Sequence, residues 1–63
     1  MKWFKLSGML IPSNMIFFVE SGEEDNKTWD WANGIVMVRV NKVIMELVEN
    51  YIEDSDKRIF TLS

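Results

Sequence analysis

The fold is decided by residues 35–52, which begin Ile35-Val36-Met37-Val38-Arg39-Val40 and run through Asn41 into an apolar and acidic segment. The first six residues are rich in β-branched side chains, a composition typical of a strand. Asn41 has a side chain preferred immediately before a helix. After it, apolar residues recur at positions 43, 44, 47, 48, 51 and 52 with acidic residues on the opposite side, which predicts an amphipathic helix. A strand followed directly by a helix is therefore expected at the centre of the fold.

The segments on either side of this stretch predict further strands. Asn33-Gly34 is a strong signal for a tight turn, because both residues tolerate positive φ. If Thr28–Ala32 is extended, this turn closes a hairpin, and a loop ordered by its tryptophans is the alternative. Beyond the helix, Asp54-Ser55-Asp56 favours a turn. Residues 58–62 then alternate between apolar and polar, which indicates a final strand at a sheet edge.

The N-terminal third predicts a hairpin. Residues 2–6 alternate, Gly8 interrupts the pattern, and residues 9–11 are expected to resume the same strand after a bulge at Gly8. Pro12-Ser13-Asn14 breaks the chain again, since proline has no N–H to donate and Ser and Asn favour turns. Met15–Glu20 follows as an apolar run. We therefore expect residues 2–11 and Met15–Glu20 to pair.

These elements predict an α+β fold in the order β-β-(β)-β-α-β. The expected architecture is a small antiparallel sheet of three to five strands with one amphipathic helix packed on one face, in a single domain over residues 1–63. The core side chains expected beneath the helix are Phe4, Leu6, Ile16, Phe18, Val36, Val38, Val40 and Phe60.

The chain has more apolar strand surface than one helix can cover. Two strands are apolar at successive positions, so their side chains project from both faces of the sheet. The uncovered face predicts a protein-binding patch, to which the tryptophans of Trp29-Asp30-Trp31 contribute either as anchors or as a lid folded over it. The predicted partner-binding residues are Met15, Phe17, Val19, Trp29, Trp31, Ile35 and Met37.

The formal net charge is −3, which argues against a protein that neutralises nucleic-acid phosphates. Acidic residues fall in two clusters, one in a polar loop and one at the end of the predicted helix. The acidic residues at the end of the helix oppose the helix dipole, which is unfavourable, and the adjacent Lys57 and Arg58 could offset this cost. The predicted acidic rim of the binding patch is Glu23, Glu24, Asp25, Glu49, Glu53 and Asp54.

The chain has no cysteine and no histidine, which excludes a disulfide, a thiolate nucleophile and an imidazole base. The carboxylates lack the spacing of a calcium loop. We therefore expect no enzymatic activity, no cofactor and no metal site. No apolar run is long enough to span a bilayer. The first residues lack the apolar run of a signal peptide, which favours the cytoplasm, that of the host if the protein is phage-encoded.

Three functions are consistent with these patterns. The first is a non-enzymatic module that occludes another protein; the composition is similar to that of short genes from AT-rich genomes, and phages encode many small acidic inhibitors of host proteins. The second is an obligate homodimer in which two copies bury the apolar face against each other. The third is a nucleic-acid mimic that presents its acidic clusters to a basic surface. The partner is thus expected to be another protein or a second copy of the chain, without direct nucleic-acid or membrane binding.

Overall fold

The computed structural model describes residues 1–21 and 28–62. These residues contain six strands and one α-helix, and a single turn of 3₁₀ helix, Ser13–Met15, precedes the third strand. The strands are β1 Trp3–Leu6, β2 Met9–Pro12, β3 Ile16–Glu20, β4 Thr28–Ala32, β5 Ile35–Val40 and β6 Ile59–Leu62, and the helix is α1 Lys42–Glu53. The predicted α+β class with one helix is confirmed.

The strands form two mixed sheets of three strands each, where a single antiparallel sheet was expected. One sheet has the order β2-β1-β6 and the other β3-β5-β4. β1 pairs antiparallel with β2 but parallel with β6, and β3 pairs parallel with β5. Parallel pairing needs a long connection, and other elements lie between the partners in both pairs: β4 between β3 and β5, and β2 to α1 between β1 and β6. Local sequence patterns do not encode such long-range partners.

The predicted pairing of residues 2–11 with Met15–Glu20 is wrong. Ser7 and Gly8 both have positive φ, at 47° and 81°, so they form a tight turn that folds β2 back on β1. Gly8 was expected to mark a bulge within one strand. Since β1 has β2 on one side and β6 on the other, β3 belongs to the second sheet.

The hairpin at Asn33-Gly34 forms as the turn signal indicates. Asn33 has φ 53° and Gly34 φ 78°, the two successive positive values of a type I′ turn. Ala32 lies opposite Ile35 across the turn, and β4 pairs with β5 along its length. Thr28–Ala32 is therefore a strand, which resolves the alternative left open by the sequence.

The core lies between the two sheets and the helix. Its buried side chains are Phe4, Leu6, Ile11, Val36, Val38, Val40, Val48, Tyr51 and Leu62. Of the predicted core, Ile16, Phe18 and Phe60 are partly buried and pack against this cluster, and the other five are buried. The ring centroids of Phe4 and Phe18 are 4.7 Å apart, which joins the two sheets directly.

Helix α1 begins and ends with identifiable contacts. The side-chain oxygen of Asn41 accepts a hydrogen bond from the amide of Ile44 at 2.9 Å, as predicted for an N-cap. At the other end the Nζ of Lys2 donates to the carbonyls of Asp54 and Lys57 and lies 4.5 Å from the centre of the Tyr51 ring. In the described part of the chain, no helix is long and apolar enough to cross a membrane.

Candidate protein-binding surface

The strand register assigns each side chain of the β3-β5-β4 sheet to a face. In the central strand β5, Val36, Val38 and Val40 are buried in the core. Since successive side chains of a strand project to opposite faces, Ile35, Met37 and Arg39 project outward. We call this side of the sheet the outer face.

Strand β3 adds two apolar side chains to the outer face. Phe17 lies opposite Met37, and Val19 lies opposite Arg39. Phe17 is 57% exposed and Ile35 is 47% exposed, whereas Met37 and Val19 are half-buried. Phe17, Val19, Ile35 and Met37 therefore lie on one face and form an apolar surface whose most exposed side chains are Phe17 and Ile35.

An ion pair lies on the same face. Asp30 is opposite Met37 across the β4-β5 pairing, and its Oδ2 lies 2.8 Å from the guanidinium of Arg39. Both side chains are exposed, so the pair contributes only about 0–1 kcal/mol to folding. Its two charges place polar groups beside the apolar surface, an arrangement common at the rim of a protein interface.

The two tryptophans lie on the opposite side of the sheet from Phe17, so their predicted place on the outer face is wrong. Trp29 is opposite Val38 and Trp31 is opposite Val36, which puts both rings on the core side. Trp29 is half-buried and packs against the core, whereas Trp31 is 53% exposed at its margin. The two-residue turn fixes this register, so the turn signal contains the information needed to place the rings.

Met15 belongs to the 3₁₀ turn that precedes β3, not to the sheet. Its side chain is exposed and lies two residues before Phe17 in the chain. Met15 therefore precedes the outer face in the chain but is not part of it, because the pairing of β3 with β5 begins at Ile16.

The acidic residues of the helix lie away from the outer face. Helix α1 packs on the core side of the sheet through Val48 and Tyr51, and Glu49 and Glu53 are exposed on it. Asp54 is half-buried, and its Oδ1 accepts a hydrogen bond from the amide of Asp56 at 2.9 Å. These three carboxylates therefore do not border the apolar surface. The other predicted rim residues, Glu23, Glu24 and Asp25, lie outside the described residues.

Sequence patterns missed the role of Lys2. The cost of acidic residues at the helix C-terminus was assigned to Lys57 and Arg58, but the cation that donates to the helix-end carbonyl of Asp54 is Lys2. Arg58 instead donates to the carbonyl of Ser55. Within residues 1–21 and 28–62, no three His, Cys, Asp or Glu side chains are grouped so that they could hold a metal ion.

The chain matches no protein-family model, no curated protein and no solved structure. Inferences about function therefore rest on the surface itself.

Proposed function

We propose that this protein is a non-enzymatic module that binds another protein through its outer face and acts by occluding the surface it covers. The observation that carries this proposal is the pairing of Phe17 with Met37 on an open sheet face, with Phe17 57% exposed. An exposed aromatic ring on a rigid strand is typical of an interface anchor, because burying it costs little conformational entropy.

The composition of the outer face suits an apolar partner surface. Complete burial of a fully exposed Phe or Ile side chain contributes about 1.5–3 kcal/mol, and Phe17 and Ile35, at 57% and 47% exposed, can still gain about half of that each. Met37 adds a flexible and polarizable side chain that adapts to an irregular partner. The energy available from Phe17 and Ile35 is therefore large enough to make them the main contacts, with Met37 and Val19 filling the space between.

The Asp30–Arg39 pair gives the interface its polar edge. Charged groups at a rim set the orientation and the rate of association more than the affinity. The partner is thus expected to place polar groups opposite Asp30 and Arg39 and apolar groups opposite Phe17. Whether Glu23, Glu24 and Asp25 extend this rim stays a prediction from the sequence.

The chemistry of the chain supports occlusion over catalysis. The sequence has no histidine, the side chain most often used as a general base, and no cysteine to supply a thiolate nucleophile. A module of this kind works at a stoichiometry of one protein to one partner site, so its effect scales with its concentration.

The proposal is tested by affinity capture with matched variants. The double variant Phe17→Ser/Met37→Ser removes the apolar contacts of the outer face. The control Leu10→Ser/Ile52→Ser removes two apolar side chains that are nearly as exposed as Phe17, at 50% and 51%, one on the other sheet and one on the helix. We expect the wild type and the control to retain the same partner in stoichiometric amounts and the outer-face variant to lose it, with far-UV circular dichroism unchanged in all three. Equal capture by both variants would contradict the proposal.

A further inference from the structure

Strand β6 has an open edge. It is the last strand in the order β2-β1-β6, and the amide of Trp3 donates to the carbonyl of Arg58 at 2.8 Å just before β6 begins. In a parallel pair, alternate residues direct their backbone groups to the same neighbour. Arg58, Phe60 and Leu62 therefore face β1. The N–H and C=O groups of Ile59 and Thr61 point away from the sheet.

This edge is also the one without a protective residue. The two sheets of the described chain have four edge strands. β2 ends in Pro12, β3 ends in Glu20 and β4 has Asp30 at its centre. Proline and charged residues are the usual means by which edge strands avoid pairing with another chain. The β6 sequence Ile59-Phe60-Thr61-Leu62 has neither.

A pocket of about 280 Å³ lies beside the open edge, between β6 and α1. Leu47, Asn50 and Asp54 line it from the helix, and Ile59, Phe60 and Thr61 line it from the strand. Leu47 and Ile59 are both about half exposed, at 48% and 53%. Space and apolar surface are thus available next to the unpaired backbone groups.

We propose that β6 pairs antiparallel with β6 of a second copy of this chain, around a twofold axis at Phe60. In this register Ile59 of each copy lies opposite Thr61 of the other. Residues in such hydrogen-bonded pairs exchange both their N–H and C=O groups, so all eight outward groups of the two strands acquire partners. The β2-β1-β6 sheet of one copy and that of the other then form one continuous sheet of six strands, with both helices on the same face.

The helices are complementary in this arrangement. The twofold axis is normal to the sheet and reverses the helix direction, so the two helices run antiparallel and the start of one is at the same end of the pair as the end of the other. Lys42 is the basic residue at the start of α1, and Glu53 is the acidic residue at its end. The dimer therefore brings opposite charges, not like charges, to each end of the helix pair, and the exposed Leu47 of each copy borders the pocket beside the new strand pairing. This favours a second copy over an unrelated extended peptide.

This dimer uses a different surface from the outer face. β6 belongs to the β2-β1-β6 sheet, whereas Phe17 and Met37 belong to the β3-β5-β4 sheet. Pairing through β6 leaves both outer faces open, so the dimer is bivalent towards a partner.

The test is the solution mass of wild type and Thr61→Pro by light scattering over a hundredfold range of concentration. Proline removes the outward N–H of Thr61 and fits an edge strand. The loss occurs twice in the dimer, so we expect the dimer to weaken about tenfold or more. Thr61→Ala keeps the N–H and should dimerise like wild type. A wild type that stays at the monomer mass of 7.4 kDa overturns the proposal. A folded Thr61→Pro that dimerises as tightly as wild type also overturns it.

A disulfide experiment decides the case if Thr61→Pro fails to fold. The chain has no cysteine, so Ile59→Cys and Thr61→Cys each introduce a single thiol. Opposed residues in a hydrogen-bonded antiparallel pair have Cα atoms about 5.5 Å apart, within the range of a disulfide. Mixing the two variants under oxidising conditions should give the heterodimeric disulfide in excess over either homodimeric one. Homodimeric products in equal or greater yield overturn the register. A dimer abolished by Phe17→Ser/Met37→Ser overturns the β6 interface and assigns self-association to the outer face.

Discussion

The hydroxyl oxygen of Tyr51 lies 2.6 Å from the carbonyl oxygen of Arg58. The same hydroxyl lies 2.7 Å from the carbonyl oxygen of Trp3 and accepts a hydrogen bond from the Trp3 amide at 3.0 Å. Its ring meets Phe4 edge to face, with centroids 5.2 Å apart. One helical side chain thus joins α1 to the point where β1 and β6 begin to pair.

We predict that Tyr51→Phe lowers the free energy of unfolding by about 1–2 kcal/mol, because buried backbone groups lose a partner while the ring packing remains. Urea denaturation followed by circular dichroism measures this change. The denaturant slope should stay that of the wild type. An unchanged denaturation midpoint would mean that the hydroxyl of Tyr51 does not stabilise the contact between α1 and the first residues of β1 and β6.

Removing the cation at the helix end should also destabilise the fold. Lys2→Met keeps an unbranched side chain of nearly the same length but removes the donors to the carbonyls of Asp54 and Lys57, and we expect a loss of about 1 kcal/mol. Lys5→Met is the matched control, because Lys5 is exposed on the same strand region. Amide hydrogen exchange in the last turn of α1 should become faster in Lys2→Met alone. Equal effects of both variants would contradict a specific role for Lys2.

The two tryptophans should differ in their importance for stability. Trp29 packs against the core and Trp31 is 53% exposed, so Trp29→Ala should cost about 2 kcal/mol or more and Trp31→Ala less than about 1 kcal/mol. Thermal or urea unfolding of the two variants provides the comparison. The reverse order would mean that the β4 register differs from the one described.

Reversing helix charges should leave partner binding intact. Glu49 and Glu53 lie on the helix, on the opposite side of the sheet from Phe17. We therefore expect Glu49→Lys/Glu53→Lys to bind the captured partner with wild-type affinity, and binding to change little between low and high salt. Loss of binding, together with a steep salt dependence in the wild type, would instead favour mimicry of a nucleic acid.

Local patterns predicted the elements well because each depends on neighbouring residues. Asn41 caps the helix through a contact three residues away, and Asn33-Gly34 forms its turn from two adjacent positive φ values. The alternation of β5 assigned Val36 and Val38 to the core. The cap, the turn and the alternation each depend only on residues that lie a few positions apart in the sequence.

Strand partners and the contact at the end of the helix were harder to predict, because they join distant parts of the chain. The parallel pairing of β3 with β5 depends on the competition between all strands for a neighbour, and Lys2 contacts a helix end more than 50 residues away. The side of the two tryptophans was predictable in principle, since a two-residue turn at Asn33-Gly34 sets Trp31 opposite Val36. A single step in register moves every side chain of β4 to the other face.

The central claim is that Phe17 and Met37 form the contact surface for another protein. The most direct measurement is calorimetric titration of the purified captured partner with wild type, Phe17→Ser/Met37→Ser and the control Leu10→Ser/Ile52→Ser. We predict one partner per chain for wild type and control, and an affinity about 100-fold lower for the outer-face variant, from the loss of the Phe17 anchor and of the Met37 contact beside it. An outer-face variant that binds as tightly as wild type would contradict the account.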